Sequence, residues 1–273
     1  MDLLVDLHDV LRTKLLRWFL RLRGVPCAHI DKGRAEKRAL TRRRGRRLVR
    51  LKTSAQRYLE TFCSAGIRLP DNEAAEIVSS SSPPCTVYAP GGGPAEAFAA
   101  VSQPKAAGEY WIAVAPFAAH EGKMYPLQLM DKVVKLFAAR ENVRIFLFGF
   151  GEKEEGAIEI LREGCMDKTV NMARSRLGLS AELALLSHCD AMLSMDSANM
   201  HLASLVGLRT VSVWGATHPF AGFYGAGQNP DDAIQMDMPC RPCSIFGNKP
   251  CLRHDYACLT LLPPKKIVSA LKS

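Results

Sequence analysis

The stretch Asp190-Ala-Met-Leu-Ser-Met-Asp196-Ser197-Ala198-Asn199-Met200-His201-Leu-Ala-Ser-Leu-Val-Gly207, followed by Arg209-Thr-Val-Ser-Val-Trp214-Gly215-Ala-Thr217-His218-Pro219, decides the fold. Ala191 to Met195 reads as a buried strand, Asp196 and Ser197 as a polar turn, and the residues up to Gly207 as a short helix. A second strand then opens into the loop at Gly215. Such a strand–helix–strand unit belongs to an open α/β sheet. There ligands sit beyond the carboxyl ends of the strands, and a helix N-terminus offers unpaired N–H groups and partial positive charge to an anion. Asp196 to His201 occupies that position. The same residues would also serve as a plain helix cap with an interior histidine.

Working outward, the pattern is regular from Tyr110. Strands are expected at Trp111–Phe117, Val143–Phe148 and Thr169–Met172. Helices are expected from Pro126 to Arg140, from Glu152 to Glu163, and from a Ser180 cap to His188. Strands alternating with helices of this length mean a parallel sheet covered on both faces, a Rossmann-like domain. Toward the N-terminus, Leu3 to Leu7 is an apolar run that turns polar at His8 and Asp9. Helical periodicity through Leu11, Leu15, Trp18, Phe19 and Leu22 stops at Gly24, Val25 to Ile30 reads as a short strand, and Ala55 to Ala65 as a helix stopped at Gly66. The interval from Ser79 to Pro94, with Ser-Ser-Ser-Ser-Pro-Pro and Pro-Gly-Gly-Gly-Pro, has linker composition, so the expected domains are residues 1–95 and 96–273.

Composition bounds the function. With 273 residues, 48% hydrophobic and 23% charged, the chain can bury a sizeable core. No run of about 18 apolar residues occurs, and Arg17, Arg21 and Arg23 interrupt the opening helix. Neither a transmembrane span nor a secretory signal is expected, and the expected compartment is the cytoplasm. The net charge of +9 is local: Lys32 to Lys52 holds eleven Lys or Arg and one Glu, leaving the rest of the chain close to neutral. The run Arg42-Arg43-Arg44-Gly-Arg46-Arg47 suits an anionic acceptor or the inner face of a membrane, or is a solvated loop. It has no interleaved aromatics and no zinc-finger or helix-turn-helix context, so nucleic acid is not expected as a partner.

The loops after three strands carry polar residues at ligand positions: Lys123, then Gly149 to Glu154, then Asp196 to His201. A nucleotide diphosphate needs a helix N-terminus and a hydroxyl for its oxygens, a lysine to neutralise the leaving charge, and a carboxylate for the ribose. Ser197, Lys123 and Glu154 fit those roles. Gly149-Phe-Gly151 lacks the Lys-Ser/Thr ending of a P-loop, and Gly-x-Gly alone is weak evidence for a dinucleotide, which disfavours hydride transfer.

Asp196-Ser-Ala-Asn-Met-His201-Leu-Ala, with Gly207 and Trp214-Gly215-Ala-Thr217-His-Pro219, closely resembles the Asp-Ser/Thr-Gly-x-x-His-Leu-Ala…Phe-Gly-x-Thr-x-Pro signature of the heptosyltransferase family, glycosyltransferase family 9. Lys123-Met-Tyr-Pro126 is similar to that family's Lys-x-Trp-Pro. Less specific likenesses are Asp6-Leu-His8 with Arg12, Asp31-Lys-Gly-Arg34 and Arg57-Tyr58. The resemblance implies an α/β protein of GT-B type, two Rossmann-like domains across a cleft. The C-terminal one would bind an NDP-sugar, usually ADP-heptose, and the N-terminal one the anionic lipopolysaccharide core. It implies inverting transfer without a catalytic cofactor. Lys123 and Asp196 would be catalytic, Lys123, Glu154, Asp196, Ser197, Ala198, His201 and Thr217 would hold the donor, and Asp6, His8 and Arg12 would lie on the acceptor side.

Three departures stand out. Ala198 replaces the usual glycine of the phosphate turn, and Tyr125 replaces tryptophan. The family's first strand and its Gly-Asp loop, which supply the proposed general base, have no counterpart, so the N-terminal domain is expected to be incomplete. Without that base, transfer would lose a factor of about a hundred to ten thousand, and the alternative reading is a truncated, non-catalytic nucleotide- or glycan-binding remnant. Separately, Cys240-Arg-Pro-Cys243, Cys251 and Cys258 form a cluster among nine cysteines. Two readings of it stand open: a structural zinc, or thiols that pack without metal.

Overall fold

In the computed structural model, which describes residues 2–68, 70 and 86–271, the chain divides into two compact units: Met1–Ser80 with Phe220–Tyr224, and Ser81–Pro219 with Gly225–Ser273. The linker-like interval from Ser79 lies, up to residue 85, outside the described residues.

The first unit opens with a parallel pair, β1 (Leu4–Asp6) and β2 (Cys27–His29), in the register Leu4 with Cys27 and Asp6 with His29. Between them runs α1 (Leu11–Leu22), whose start is held by the Thr13 hydroxyl accepting the Val10 N–H. Two more helices follow, α2 (Arg34–Leu40) and α3 (Ser54–Ser64). A reciprocal capping box starts α3: the Thr53 hydroxyl accepts the Gln56 N–H at 3.2 Å and the Gln56 amide oxygen accepts the Thr53 N–H at 2.8 Å. The short return segment Phe220–Tyr224 joins this unit because Leu51 N–H donates to the Phe220 carbonyl. Gly222, at φ +82, also lies so close to the Lys52 carbonyl that a Cβ would stand 2.3 Å from it.

The second unit is a six-stranded, all-parallel sheet. Its strands are β3 (Tyr110–Ala115), β4 (Val143–Leu147), β5 (Thr169–Asn171), β6 (Ala191–Met195), β7 (Thr210–Trp214) and β8 (Ala233–Gln235), in the spatial order β5-β4-β3-β6-β7-β8. The connecting helices are α4 (Leu127–Ala138), α5 (Gly151–Arg162), α6 (Leu179–His188), α7 (Ala198–Ser204) and, at the end, α8 (Pro264–Ala270). Period-two alternation in β3 supplies both cores. Ile112 and Val114 pack on one face with Val133 and Phe137 of α4 and Ile267 of α8, while Trp111, Ala113 and Ala115 pack on the other with Phe98 and Leu185. On that second face Trp111 meets Phe146 edge-on, with centroids 4.9 Å apart.

Most expected elements form within two residues of their sequence positions. One helix start differs: Gly178, at φ 82, is the N-cap of α6, so Ser180 lies inside the helix. Residues Ala233–Gln235 add an edge strand that the sequence pattern does not announce. The chain runs outward from β3 to β4 and β5, then crosses back to place β6 on the other side of β3. The direction of winding therefore reverses between β3 and β6, and that reversal opens a crevice at their carboxyl ends.

Candidate functional site: the β3–β6 crevice

The loop after β3 and the loop after β6 meet at this crevice. The Lys123 ammonium stands 3.0 Å from Asp196 Oδ2, with both side chains largely withdrawn from water. The geometry is that of an ion pair off the line of a hydrogen bond, so Oδ2 is a buried acceptor with no hydrogen-bond donor. The Thr217 hydroxyl, in the loop after β7, is likewise buried and without a partner. Buried polar atoms are rarely left so unless a ligand or water completes them.

Close backbone packing sets these loops. Ala216 N–H donates to the Gly122 carbonyl at 2.7 Å, tying the β7 loop to the turn that carries Lys123. The Lys123 stem lies on Gly247, where a Cβ would come within 2.4 Å of the stem and the backbone has φ +74, so only glycine fits. Tyr125, two residues on, is buried; its hydroxyl donates to the Leu262 carbonyl at 2.6 Å, and burial pushes its pKa up to about 12. The phenol is therefore a satisfied packing group in the place of the expected tryptophan.

Ser197 is the N-cap of α7, but its hydroxyl makes no capping bond and lies 3.3 Å from the Ser194 hydroxyl. The first N–H groups of the helix are thus left for another partner. Ala198 is exposed and is not among the residues with positive φ, so the turn needs no glycine there. His201 lies one turn into α7 with its outer edge exposed. Burial of the rest of the ring lowers its pKa, the Asp196 carboxylate opposing and the Lys123 ammonium assisting, so the imidazole is neutral at pH 7. Glu154 lies at the same edge of the sheet, after β4, and its carboxylate turns back to accept the Phe150 N–H at 2.8 Å, which closes the start of α5.

One residue of this site went unrecognised in the sequence. Arg241 is buried, and its guanidinium donates to the carbonyls of Trp214 (3.1 Å), Gly215, Thr217 (2.9 Å) and Met236 (2.5 Å) and to the Gln235 amide oxygen (3.0 Å). Burial lowers its pKa, with Cys258, Cys240, Cys243 and Asp237 opposing, and it stays protonated. It is the clamp that shapes the Thr217 loop. An arginine between two cysteines carries no pattern that announces such a role.

Three of the four clustered cysteines, Cys240, Cys243 and Cys258, lie close enough to this clamp to act on its charge, and Cys251 lies near Cys243 and Cys258. All are free thiols, and among the described residues no three His, Cys, Asp or Glu side chains converge so as to hold a metal. Burial raises Cys243, and raises Cys258 to about 11, with neighbouring cysteines adding to both. At Cys251 burial raises the thiol, but the backbone N–H groups of Arg253, Tyr256, Asp255 and His254 outweigh it and hold the thiol below its ordinary value.

In the other unit, His8 and Arg12 are exposed, whereas Asp6 is buried and committed: it accepts the N–H groups of His8 (2.9 Å) and Asp9 (2.8 Å) and pairs with Arg17 at 2.8 Å. Asp9, which the sequence reading did not single out, is buried at φ 39 and pairs with Arg17 (3.1 Å) and Arg34 (3.0 Å). Burial raises both carboxyls, but hydrogen bonds and the arginines outweigh it and leave both pKa values low. Their contribution to stability is therefore complete above the unfolded value of about 4 and is lost as pH falls below that, through the folded values. Arg17→Met should shift acid unfolding, followed by circular dichroism, to higher pH. An unchanged acid midpoint would refute this account.

Among known proteins, the model of glycosyltransferase family 9 (heptosyltransferase) matches residues 72–249. Two lipooligosaccharide heptosyltransferases 2 of Campylobacter jejuni subsp. jejuni, serotypes O:6 and O:2, are 24% identical over 152 and 153 residues. Each match covers 55% of this chain and 46% of the relative, so the chain spans about half the length of the curated relatives it matches. Among solved structures, the family 9 glycosyltransferase of Veillonella parvula aligns over 99% of this chain and 72% of its own, with a TM-score of 0.62 at 16% identity. The E. coli ADP-heptose LPS heptosyltransferase II aligns over 99% and 97%, with a TM-score of 0.56 at 15% identity. These structures share the fold, α/β of GT-B type. With well over half of its length matched by the family model, and with the signature residues gathered at the crevice between β3 and β6, the chain belongs to glycosyltransferase family 9, the heptosyltransferases.

Proposed function

We propose that the chain is a sugar transferase whose second unit binds an NDP-sugar, ADP-heptose by its family, and passes the sugar with inversion to a lipopolysaccharide core or related glycan. The observation that carries this reading is the Lys123–Asp196 pair at the winding reversal, flanked by the unpartnered Thr217 hydroxyl and the uncapped start of α7. The acceptor hydroxyl attacks the anomeric carbon from the face opposite the diphosphate, its oxygen forming the new glycosidic bond while its proton passes to solvent water. As the glycosidic bond breaks, the Lys123 ammonium and the first N–H groups of α7 meet the charge growing on the leaving phosphate oxygens. Asp196 holds the lysine in place, and Ser197 and Thr217 offer hydroxyls to the diphosphate. No metal enters this scheme. The solved relative WaaC is described with ADP and with ADP-2-deoxy-2-fluoro heptose, which suits the same donor class here. The family match and the assembled pair do not favour the non-catalytic remnant.

Calorimetric titration with ADP tests the donor half of the reading: the chain should bind, and Ser197→Ala should weaken binding by about 1–3 kcal/mol. Absence of binding, or an unaltered variant, would overturn the assignment. As part of the same proposal, the acceptor would lie at the cytoplasmic face of a membrane, where the arginine run from Arg42 to Arg47, mostly exposed, would draw the chain to phosphorylated glycan and anionic lipid. A structural zinc on Cys240, Cys243, Cys251 and Cys258 rests on their spacing and on the thiolate-favouring surroundings of Cys251, and it requires the four thiols, which do not converge in the arrangement described above, to draw together around the ion. Protein purified without chelator should then contain near-stoichiometric zinc and lose thermal stability on chelation. Metal-free protein of undiminished stability would leave packed thiols.

A further inference from the structure

Helix α1 is amphipathic in the inverse sense. The side turned toward its own unit carries Thr13, Arg17 and Leu20, and Arg17 is the buried partner of Asp6 and Asp9. The side turned away carries Leu11, Leu15, Trp18 and Leu22, spaced i, i+4, i+7 and i+11, and these are 76%, 61%, 65% and 68% exposed. Phe19 widens the stripe, with the Arg23 guanidinium 4.3 Å from its ring centroid. Four large apolar side chains in one exposed line are more than the scattered singles a soluble surface normally shows.

The charges around the stripe identify what covers it. Helical spacing puts Lys14 and Arg21 along one edge and Arg12 and Arg23 along the other, and the helix contains no acidic residue. A second protein surface would meet four cations at the rim of its apolar contact. An anionic lipid surface instead supplies phosphates at the level of the cations and hydrocarbon beneath them, and tryptophan favours that boundary. Twelve residues span about 18 Å, well short of the roughly 30 Å hydrocarbon core, so the helix would lie in the interface and not cross it. Among the described residues no helix is long and apolar enough to cross a membrane.

We propose that the exposed face of α1 is an interfacial anchor that inserts Leu11, Leu15, Trp18 and Leu22 into an anionic membrane, with Arg12, Lys14, Arg21 and Arg23 at the phosphates. This extends the membrane contact assigned above to the arginine run and rests on that reading for its choice of surface, but it does not need the nucleotide crevice.

The test is flotation of the full chain with vesicles of phosphatidylcholine alone and with added phosphatidylglycerol, at one physiological ionic strength. The chain should float with the anionic vesicles, and its tryptophan emission should shift to the blue and become shielded from an aqueous quencher. Trp111 and Trp214 are fully buried, so Trp18 dominates that signal. Leu15→Glu/Leu22→Glu, at two exposed positions, should lower the partition coefficient by more than about a hundredfold. It should leave ADP affinity and the far-ultraviolet circular dichroism unchanged. Replacing Arg42, Arg43, Arg44, Arg46 and Arg47 by serine should weaken flotation while leaving the blue shift of the bound fraction intact. Equal flotation of the Leu15/Leu22 variant and the wild type would overturn the proposal, as would flotation with neutral vesicles to the same degree. So would a wild type that dimerises through the stripe, is made monomeric by the variant, and binds no vesicles. ADP binding, read separately, shows whether the donor assignment stands whichever way the vesicles decide.

Discussion

Arg241→Met is expected to lower the unfolding free energy by about 3–5 kcal/mol. Methionine has a similar reach and would fill most of the space, so the loss would come from hydrogen bonding and not from a cavity. The guanidinium donates to four main-chain carbonyls, those of Trp214, Gly215, Thr217 and Met236, and to the Gln235 side chain. Removing it leaves several buried acceptors without donors, each costing about 1–3 kcal/mol before relaxation and water entry recover a part. Because two of the carbonyls belong to the loop that presents Thr217, ADP affinity should fall as well, although Arg241 is not assigned to the ligand. Arg241→Lys should recover only part of the stability, since an ammonium cannot reach the same set of carbonyls from one position. Urea unfolding followed by tryptophan fluorescence checks the first effect and calorimetry the second. A loss below about 1 kcal/mol would show that the clamp is not needed.

Lys123→Ala should lower the turnover of the proposed transfer by about a hundred- to a thousandfold, the range found when one group that stabilises developing charge is removed from a closed site. The ammonium is 3.0 Å from Asp196 and its aliphatic stem is packed along Gly247, so no neighbouring cation can readily take its place. ADP carries the same diphosphate after the bond has broken, so its affinity should fall too, by about 1–3 kcal/mol. The variant also leaves the Asp196 carboxylate buried beside the diphosphate with its counter-ion gone, which adds repulsion to the lost attraction. Lys132→Ala, at an exposed position on α4, is the control and should change neither quantity. If Lys123→Ala turns over at the wild-type rate, the leaving-group role assigned to Lys123 is wrong.

The sequence by itself determined the parallel sheet of the second unit and the end of it at which the candidate site lies. Strands buried on both faces must be apolar runs, and the helices between them must carry one apolar face, so Ala191–Met195 and its neighbours could hardly be written another way. Position just beyond such runs also singled out Lys123, Glu154 and the turn from Asp196 to His201, because charge and hydroxyls there have few structural uses, whereas Thr217 came in only with the resemblance to the family. Strand order is another matter. Nothing local says that β6 returns beside β3, and only that crossing brings Asp196 to the lysine of the first loop. The commitment of Asp6 to Arg17, the carbonyl clamp of Arg241 and the return of Phe220–Tyr224 to the first unit are long-range contacts of the same kind. Helix α1 shows the limit most directly. Its periodicity reveals an apolar stripe, and a stripe reads the same whether its own protein covers it or not. Only the packing shows that the polar side of the helix, through Arg17, faces inward. The physical reason is that period fixes the relative placement of side chains around one helix or strand, while the partner of each face is set by chain segments distant in sequence.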